Sequence, residues 1–376
     1  MKLFKSPTLA SLLTVTSLAA LLAAPHGYAA DASAKSKKKT KARTEQTSDQ
    51  SSNEYVHFAQ WKEVSGFIDQ MVSTHGFDRA QLTATFDNTR YVESAIKLVK
   101  PAPAGRPKNW RVYRTRFVEP VRIDAGIAFW DQYADALARA ESQYGVTPEI
   151  IVGLIGVESI FGRMTGNFRV MDTLTTLAFA YPDTPTREGR MEFFKMELEN
   201  LLLLARDSNV DPLSYKGSYA GAVGLPQFMP GSIRKFAVDF DGDGKIDLSG
   251  SAVDAIGSVA NYLSLHGWKK GLPTVFPATL TIPEADAANG TVGSFQTQGL
   301  KASYSLDELK AIASTAADAP GNLQYGVVDL QNGTDAPEYW FATDNFYAIT
   351  QYNRSFFYAM SVIDLGRVIE AARRSR

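Results

Sequence analysis

The chain contains no cysteine. This excludes a disulfide framework, thiolate metal sites and thiol nucleophiles, and it leaves no thiol for an N-terminal lipid. Histidine is scarce and scattered: His57, His75 and His266 form no helical HExxH pair, and no GxSxG elbow is present, so the common zinc and serine hydrolase arrangements are unsupported. Net charge is also lacking, at −1 over 376 residues. Once the basic N-terminal segment is set aside, acidic residues outnumber basic ones, and nucleic acid is not an expected partner. No stretch beyond the N-terminus has the roughly twenty apolar residues that a membrane span needs.

The N-terminus reads as an export signal. Lys2 and Lys5 precede an apolar run from Leu9 to Ala24 and a small-residue site at Gly27-Tyr28-Ala29. A signal peptide over 1–29 and a periplasmic protein without a transmembrane segment are therefore expected. Residues 30–53 are rich in Lys, Ser, Thr and Gln without apolar periodicity, which predicts a disordered basic tether. Its Lys37-Lys38-Lys39 run reads as a solvated spacer, with weak adhesion to an anionic envelope polymer or membrane surface as the alternative.

Helical spacing governs the next part of the body. From Tyr55 to Lys100 the inward candidates are Phe67, Met71, Phe77, Leu82 and Phe86, with Gly76 separating two helices. Beyond the Pro- and Gly-rich 101–107, helices are predicted over 123–144, the segment around Glu158, 172–180, 191–206 and 251–266, with a loop over 182–190. Character changes near Gly271. The stretches 279–282, 291–298, 326–330 and 339–341 are short, β-rich and bounded by Gly, Asn and Pro. Helical spacing returns over 356–373. The expected division is an N-terminal helical domain (54–122), a helical core (123–270), a small β-containing domain (271–342) and a C-terminal return to the core (343–376).

Glu158 is the residue most out of keeping with its surroundings. Thr147 reads as an N-cap and Pro148 as the first helical residue, and apolar residues from Ile150 to Val157 lie on every side of that helix. A carboxyl buried there loses water, its pKa rises, and it becomes able to hold and deliver a proton at ordinary pH. On this segment alone, a structural Glu paired with Arg163 or Arg169, or one that reaches solvent at the helix end, reads at least as well.

Two further segments bear on function. Gly217 to Pro230 is too Gly- and Pro-interrupted for a helix interior and too apolar for a solvated linker, so it should line something. Its glycines permit close backbone approach to a ligand, Gln227 offers a donor and an acceptor, and Phe228 and Met229 give an apolar wall. Then Asp239, Asp241 and Asp243, with Gly244 at the sharp turn, match an EF-hand-type calcium loop, and Lys245 would give its carbonyl. Gly250 stands where the bidentate acid belongs, which leaves Asp254 as the best closing ligand. Clustered carboxylates repel one another without a cation. Tyr262, Trp268, Asn345, Tyr347, Tyr352 and Asn353 suit the mixed surface of a sugar.

Taken together, Gly156-Val157-Glu158-Ser159, Gly217-Ser218, Gly224 to Pro230, the calcium loop, Ala260-Asn261-Tyr262, His266-Gly267-Trp268, Asn345-Phe346-Tyr347 and Tyr352-Asn353 resemble the lytic murein transglycosylase B family in order along the chain. The resemblance implies a mainly α (α+β) fold, with a lysozyme-like helical core, an additional N-terminal helical domain and a small β-containing insert. It implies peptidoglycan glycan strands as substrate, with other cell-wall enzymes as candidate partners, structural Ca2+ and no organic cofactor. The family's catalytic acid falls on Glu158. Its substrate contacts fall on Ser218, Gln227, Tyr262, Asn345 and Tyr352, with Tyr113 in the 110–114 segment. Arg190 is the survivor of an Arg pair replaced by a longer 183–189 loop. Calcium ligands carry over to Asp239, Asp241, Asp243, Lys245 and Asp254 in a loop one residue longer than usual. The implied reaction uses one carboxyl, acid and then base, to form a 1,6-anhydromuramic end without water. A hydrolytic muramidase and a non-catalytic calcium-stabilised peptidoglycan-binding protein are the competing readings.

Overall fold

A computed structural model describes residues 57–101, 107–283, 286, 292–296, 299–315 and 319–376. The expected signal peptide and tether lie outside the described residues. The fold is predominantly helical with a small sheet, and by contact the described residues form two units, 107–165 with 223–376 and 57–101 with 166–222. Residues 166–222, which the sequence placed in the core, thus group with the N-terminal helices.

The smaller unit contains helices α1 (Lys62–His75), α2 (Arg79–Asp87) and α3 (Glu93–Val99), then β1 (Phe168–Arg169), α8 (Val170–Phe179), α9 (Arg187–Asp207) and β2 (Lys216–Gly217). Gly76, at φ 68°, ends α1 in the left-handed conformation that glycine tolerates best. Phe67, Met71, Leu82 and Phe86 are buried as expected, while Phe77 is half-buried beneath the Arg206 guanidinium, 4.7 Å from its ring centroid. Every residue of α8 is buried. Two of its polar residues meet partners from other segments: Asp172 accepts from Arg169 at 2.6 Å and from the Arg90 amide at 3.0 Å, and the Thr176 hydroxyl accepts from the Val92 amide at 3.0 Å, while the Thr175 hydroxyl has no hydrogen-bond partner among the described residues. The bonds to Asp172 and Thr176 offset the desolvation of those side chains. Helix α9 starts at Arg187, so Arg190 lies in its first turn rather than in a loop.

The larger unit contains α4 (Trp110–Arg114), α5 (Pro120–Gln132), α6 (Ala134–Tyr144), α7 (Pro148–Ser159), α10 (Pro230–Phe236), α11 (Ala252–Leu265), a sheet, and finally α12 (Asp344–Tyr352) and α13 (Phe356–Arg374). The single helix expected over 123–144 is two helices, because Tyr133 leaves the helical region at φ −116°, ψ 26°. Helix α7 begins as predicted, with Thr147 at the N-cap and Pro148 in the first turn. The Thr147 hydroxyl nevertheless bonds Glu149 Oε1 at 2.5 Å instead of capping an amide.

Two glycines let α7 and α13 pack closely. A Cβ on Gly153 would strike the Val362 carbonyl, and one on Gly366 would strike the Glu149 carbonyl. This approach matters for chemistry, since Glu158 is on α7 and Tyr358 on α13.

The sheet comprises β3 (Val275–Leu280), β4 (Tyr304–Ser305), β5 (Ala313–Thr315), β6 (Gln324–Asn332) and β7 (Asp335–Ala342) in the antiparallel order β4-β6-β7-β3-β5. One face buries Phe276, Leu309, Ile312, Tyr325, Val327 and Phe341 in a small core of its own. The β-containing insert is therefore real. Within 291–298, however, Val292–Ser294 forms a helical turn whose Val292 is buried in that core.

Candidate active site

Glu158 lies in the last turn of α7, and its side chain is 4% exposed. It pairs with neither Arg163 nor Arg169; among the described residues, the hydrogen bond to its carboxyl comes from the Tyr358 hydroxyl, which donates to Oε1 at 2.5 Å. Burial raises the pKa from 4.5 to about 8, against a smaller lowering by the Tyr358 bond. Desolvation of this kind produces a carboxyl that keeps its proton near neutral pH.

Tyrosines surround this acid. Tyr358 and Tyr352 stack at 6.4 Å with planes 13° apart, and both hydroxyls are pushed well above the usual range, by burial first and by Glu158 second. Tyr113, packed edge-on against Phe357 at 5.4 Å, is raised to about 12 by burial and then by Glu158. These groups are neutral phenols at physiological pH. Nothing local in the sequence points to Tyr358: it lies 200 positions from its partner Glu158, and no spacing connects them.

The sequence ending α7 makes an unusual turn. Ile160, Phe161 and Gly162 take φ of 51°, 56° and 89°, a left-handed run that disfavours a β-branched residue such as Ile160. The Ser159 hydroxyl supports it by accepting from the Gly162 amide at 3.0 Å while donating to the Leu225 carbonyl at 2.7 Å. Leu225 belongs to the loop that carries Gln227, itself at φ 51°. The Gln227 amide nitrogen donates to Gly224 O at 2.8 Å and Thr165 O at 3.1 Å, which leaves its carbonyl oxygen as the group available for a ligand.

The other expected contacts separate into distinct settings. Phe228 is buried between Tyr262 and Tyr352, at 5.6 and 5.7 Å, and so supports those rings from behind. Tyr262 donates to Gln351 O at 2.8 Å, and Tyr352 donates to Pro226 O. Asn345 is 0% exposed; its oxygen accepts from the Lys269 amide at 2.6 Å, and its nitrogen donates to Lys269 O at 2.9 Å and Leu272 O at 2.7 Å. Its amide holds the 269–272 turn. Asn353, by contrast, is buried with an Oδ1 that has no hydrogen-bond partner among the described residues. Ser218 and Arg190 are in the smaller unit. The Ser218 hydroxyl accepts from the Ala222 amide at 3.0 Å, and the Arg190 guanidinium lies 5.5 Å from the Phe194 ring with Nε 3.4 Å from the Tyr181 hydroxyl.

In the acidic loop, Asp239, Asp241 and Asp254 bring one carboxylate oxygen each within 4.8 Å of one another. Asp239 braces the turn by accepting from the Gly242 amide at 2.7 Å and the Gly244 amide at 2.8 Å, with both glycines at positive φ. Asp254, 1% exposed, accepts from the amides of Phe240 at 2.7 Å, Asp241 at 3.2 Å and Asp247 at 2.9 Å. Asp243 and Lys245 are exposed. Hard oxygen donors converging this closely fit a divalent cation such as Ca2+.

Comparison with known proteins shows the family. The family profile described as Transglycosylase SLT domain matches residues 57–367. The chain is 44% identical over 326 residues to the membrane-bound lytic murein transglycosylase B of Escherichia coli strain K12, covering 84% of this chain and 85% of that protein. It matches the catenated lytic transglycosylase SltB1 from Pseudomonas aeruginosa with a TM-score of 0.75 and 42% identity over 84% of this chain and 99% of that one. For the Escherichia coli lytic transglycosylase Slt35 in complex with calcium the TM-score is 0.72, with 43% identity over 84% and 95% of the two chains. Among the described residues, no helix is long and apolar enough to cross a membrane. The chain belongs to the Transglycosylase SLT domain family, and its activity is that of a lytic murein transglycosylase on peptidoglycan.

Proposed function

We propose that Glu158 is the single proton-transfer group of this activity. The observation that carries the proposal is its buried carboxyl, raised to about 8 with Tyr358 as its hydrogen-bond donor. At neutral pH the group is mainly protonated. It gives its proton to the oxygen bridging N-acetylmuramic acid and N-acetylglucosamine, and the bond from that oxygen to the muramic anomeric carbon breaks. The carboxylate so formed keeps the Tyr358 bond, which stabilises the charged form. It then takes the proton of the muramic C6 hydroxyl as that oxygen attacks the anomeric carbon. A 1,6-anhydro ring closes, the acid is regenerated and no water is consumed. Paired-carboxylate glycosidases need a second acid flanking the bond, whereas ring closure by the sugar's own C6 hydroxyl needs only one.

Gln227 through its free oxygen and Asn353 through its unpartnered Oδ1 would accept from sugar hydroxyl or amide groups. Tyr113 would offer ring surface to a neighbouring sugar, whereas Tyr262, 3% exposed and packed among Phe228, Phe236, His266 and Tyr352, keeps its proposed substrate contact on the resemblance alone. For Ser218 and Arg190 the proposed substrate contacts rest on the resemblance, and the proposed exported, periplasmic location rests on the signal-like N-terminal sequence. Bound Ca2+ would neutralise the charge of Asp239, Asp241 and Asp254, with Asp243 and the Lys245 carbonyl completing the set; its role is to stabilise the loop. The test of the reaction is the mass of muropeptides released from purified sacculi. Ends lighter by one water support the anhydro product, and reducing ends alone would sink it.

A further inference from the structure

We infer that the hydroxyls of Ser159 and Tyr352 act as a paired staple that positions the Gln227 loop against Glu158, without either hydroxyl touching substrate. Leu225 and Pro226 are consecutive in that loop, and each presents its carbonyl to a different helix end: Leu225 O accepts from Ser159 of α7 at 2.7 Å, and Pro226 O accepts from Tyr352 of α12. Ser159 follows Glu158 directly in the chain and is 0% exposed, so its hydroxyl ties the acid-bearing turn to the loop. The loop needs holding. Gln227 sits at φ 51°, a conformation unfavourable for any residue but glycine, and the neck below it is one antiparallel bridge between Val223 and Phe228, with amide-to-carbonyl distances of 2.8 and 3.1 Å. On the other side of Ser159, the left-handed run 160–162 is stabilised by the same hydroxyl through the Gly162 amide. One oxygen therefore fixes the direction in which α7 ends and the place where the Gln227 loop begins.

This inference rests on the anhydro-forming reading above and adds residues to it. If the sugar is held by the loop and the proton by α7, slack between them misplaces the C6 hydroxyl while leaving sugar contacts intact. A misplacement of about 1 Å can cost about a hundredfold in rate. Water then competes for the anomeric carbon.

The test compares wild type, Ser159→Ala, Ser159→Thr and Tyr352→Phe on purified sacculi, measuring kcat, KM and the ratio of anhydro to reducing ends. The expected result is a kcat lower by about 10- to 100-fold in Ser159→Ala with KM nearly unchanged, a raised share of reducing ends, and partial rescue in Ser159→Thr. A merely structural role would lower the folded fraction and leave the ratio of ends alone. Should Ser159→Ala fail to fold, Tyr352→Phe, which keeps the ring, decides by itself through the same change in ratio. Wild-type kcat and ratio of ends in Tyr352→Phe and in a folded Ser159→Ala would overturn the inference. So would a kcat loss that follows the folded fraction at constant ratio. Reducing ends alone from the wild type would instead overturn the anhydro reading, and the staple would then stand or fall on kcat per folded molecule.

Discussion

Glu158→Gln should make this protein more stable in alkaline solution while removing its activity. A glutamate side chain titrates near 4.5 when unperturbed and at about 8 in the folded protein. Between those values the folded state holds a proton that the unfolded state has released, so the stability present below the lower value is lost as pH rises through the higher. At about 1.4 kcal/mol per pH unit, the full penalty above the folded pKa is about 5 kcal/mol. Glutamine keeps the shape and can accept from Tyr358, but it has no proton to lose. Wild type and variant should therefore melt at similar temperatures near about pH 4 and diverge by about pH 9, where the variant gains about 10 °C or more. Calorimetric scans of both proteins across that range make the comparison, with other titrating groups cancelling in the difference. A gap that stays constant with pH would refute the reasoning, because it would mean that Glu158 titrates alike in the folded and unfolded chain.

Other predictions follow from individual contacts. Activity should decline as pH rises past about 8, because the acid form of Glu158 is then depleted; Tyr358→Phe removes the bond that favours the carboxylate and should move that decline upward by about one pH unit or more, read from a pH–rate profile. Gly153→Ala should push α7 from the Val362 carbonyl and destabilise the larger unit by about 1–3 kcal/mol in a denaturant titration. Asp254→Ala leaves the amides of Phe240, Asp241 and Asp247 without their acceptor and should cost about 3 kcal/mol or more, unrecovered by added calcium. Calcium should raise the melting temperature of the wild type and chelation should lower it; the absence of any shift would contradict the proposed metal site.

The acid was legible in the sequence because burial is a local property: an apolar run on every side of α7 sufficed to predict that Glu158 loses water. What holds the acid was not. Tyr358 arrives from α13 through a close helix approach that depends on Gly153 and Gly366, and neither glycine signals its partner in one dimension. Asn345 shows the same limit from the other side. An amide among aromatics reads as a sugar contact, yet its donors and acceptor are committed to the backbone at 269 and 272. Asn353, with the orphan oxygen, is eight residues away and looks no different in sequence. Helix ends were recovered where a cap or glycine marks them, at Thr147, Gly76 and Ser251. The break at Tyr133 has no such marker, and one helix was expected where two are found. Backbone strain at Ile160, Phe161 and Gln227 likewise leaves no compositional trace, since none of the three is a residue that favours positive φ.

The most direct test of a single carboxyl acting as acid and then base is digestion of sacculi in water enriched in heavy oxygen, followed by mass analysis of the new glycan ends. Glu158 acting alone predicts anhydro ends that carry no label, since the attacking oxygen is the sugar's own C6 hydroxyl. Labelled reducing ends as the main product would contradict it, because they would show that water attacks the anomeric carbon.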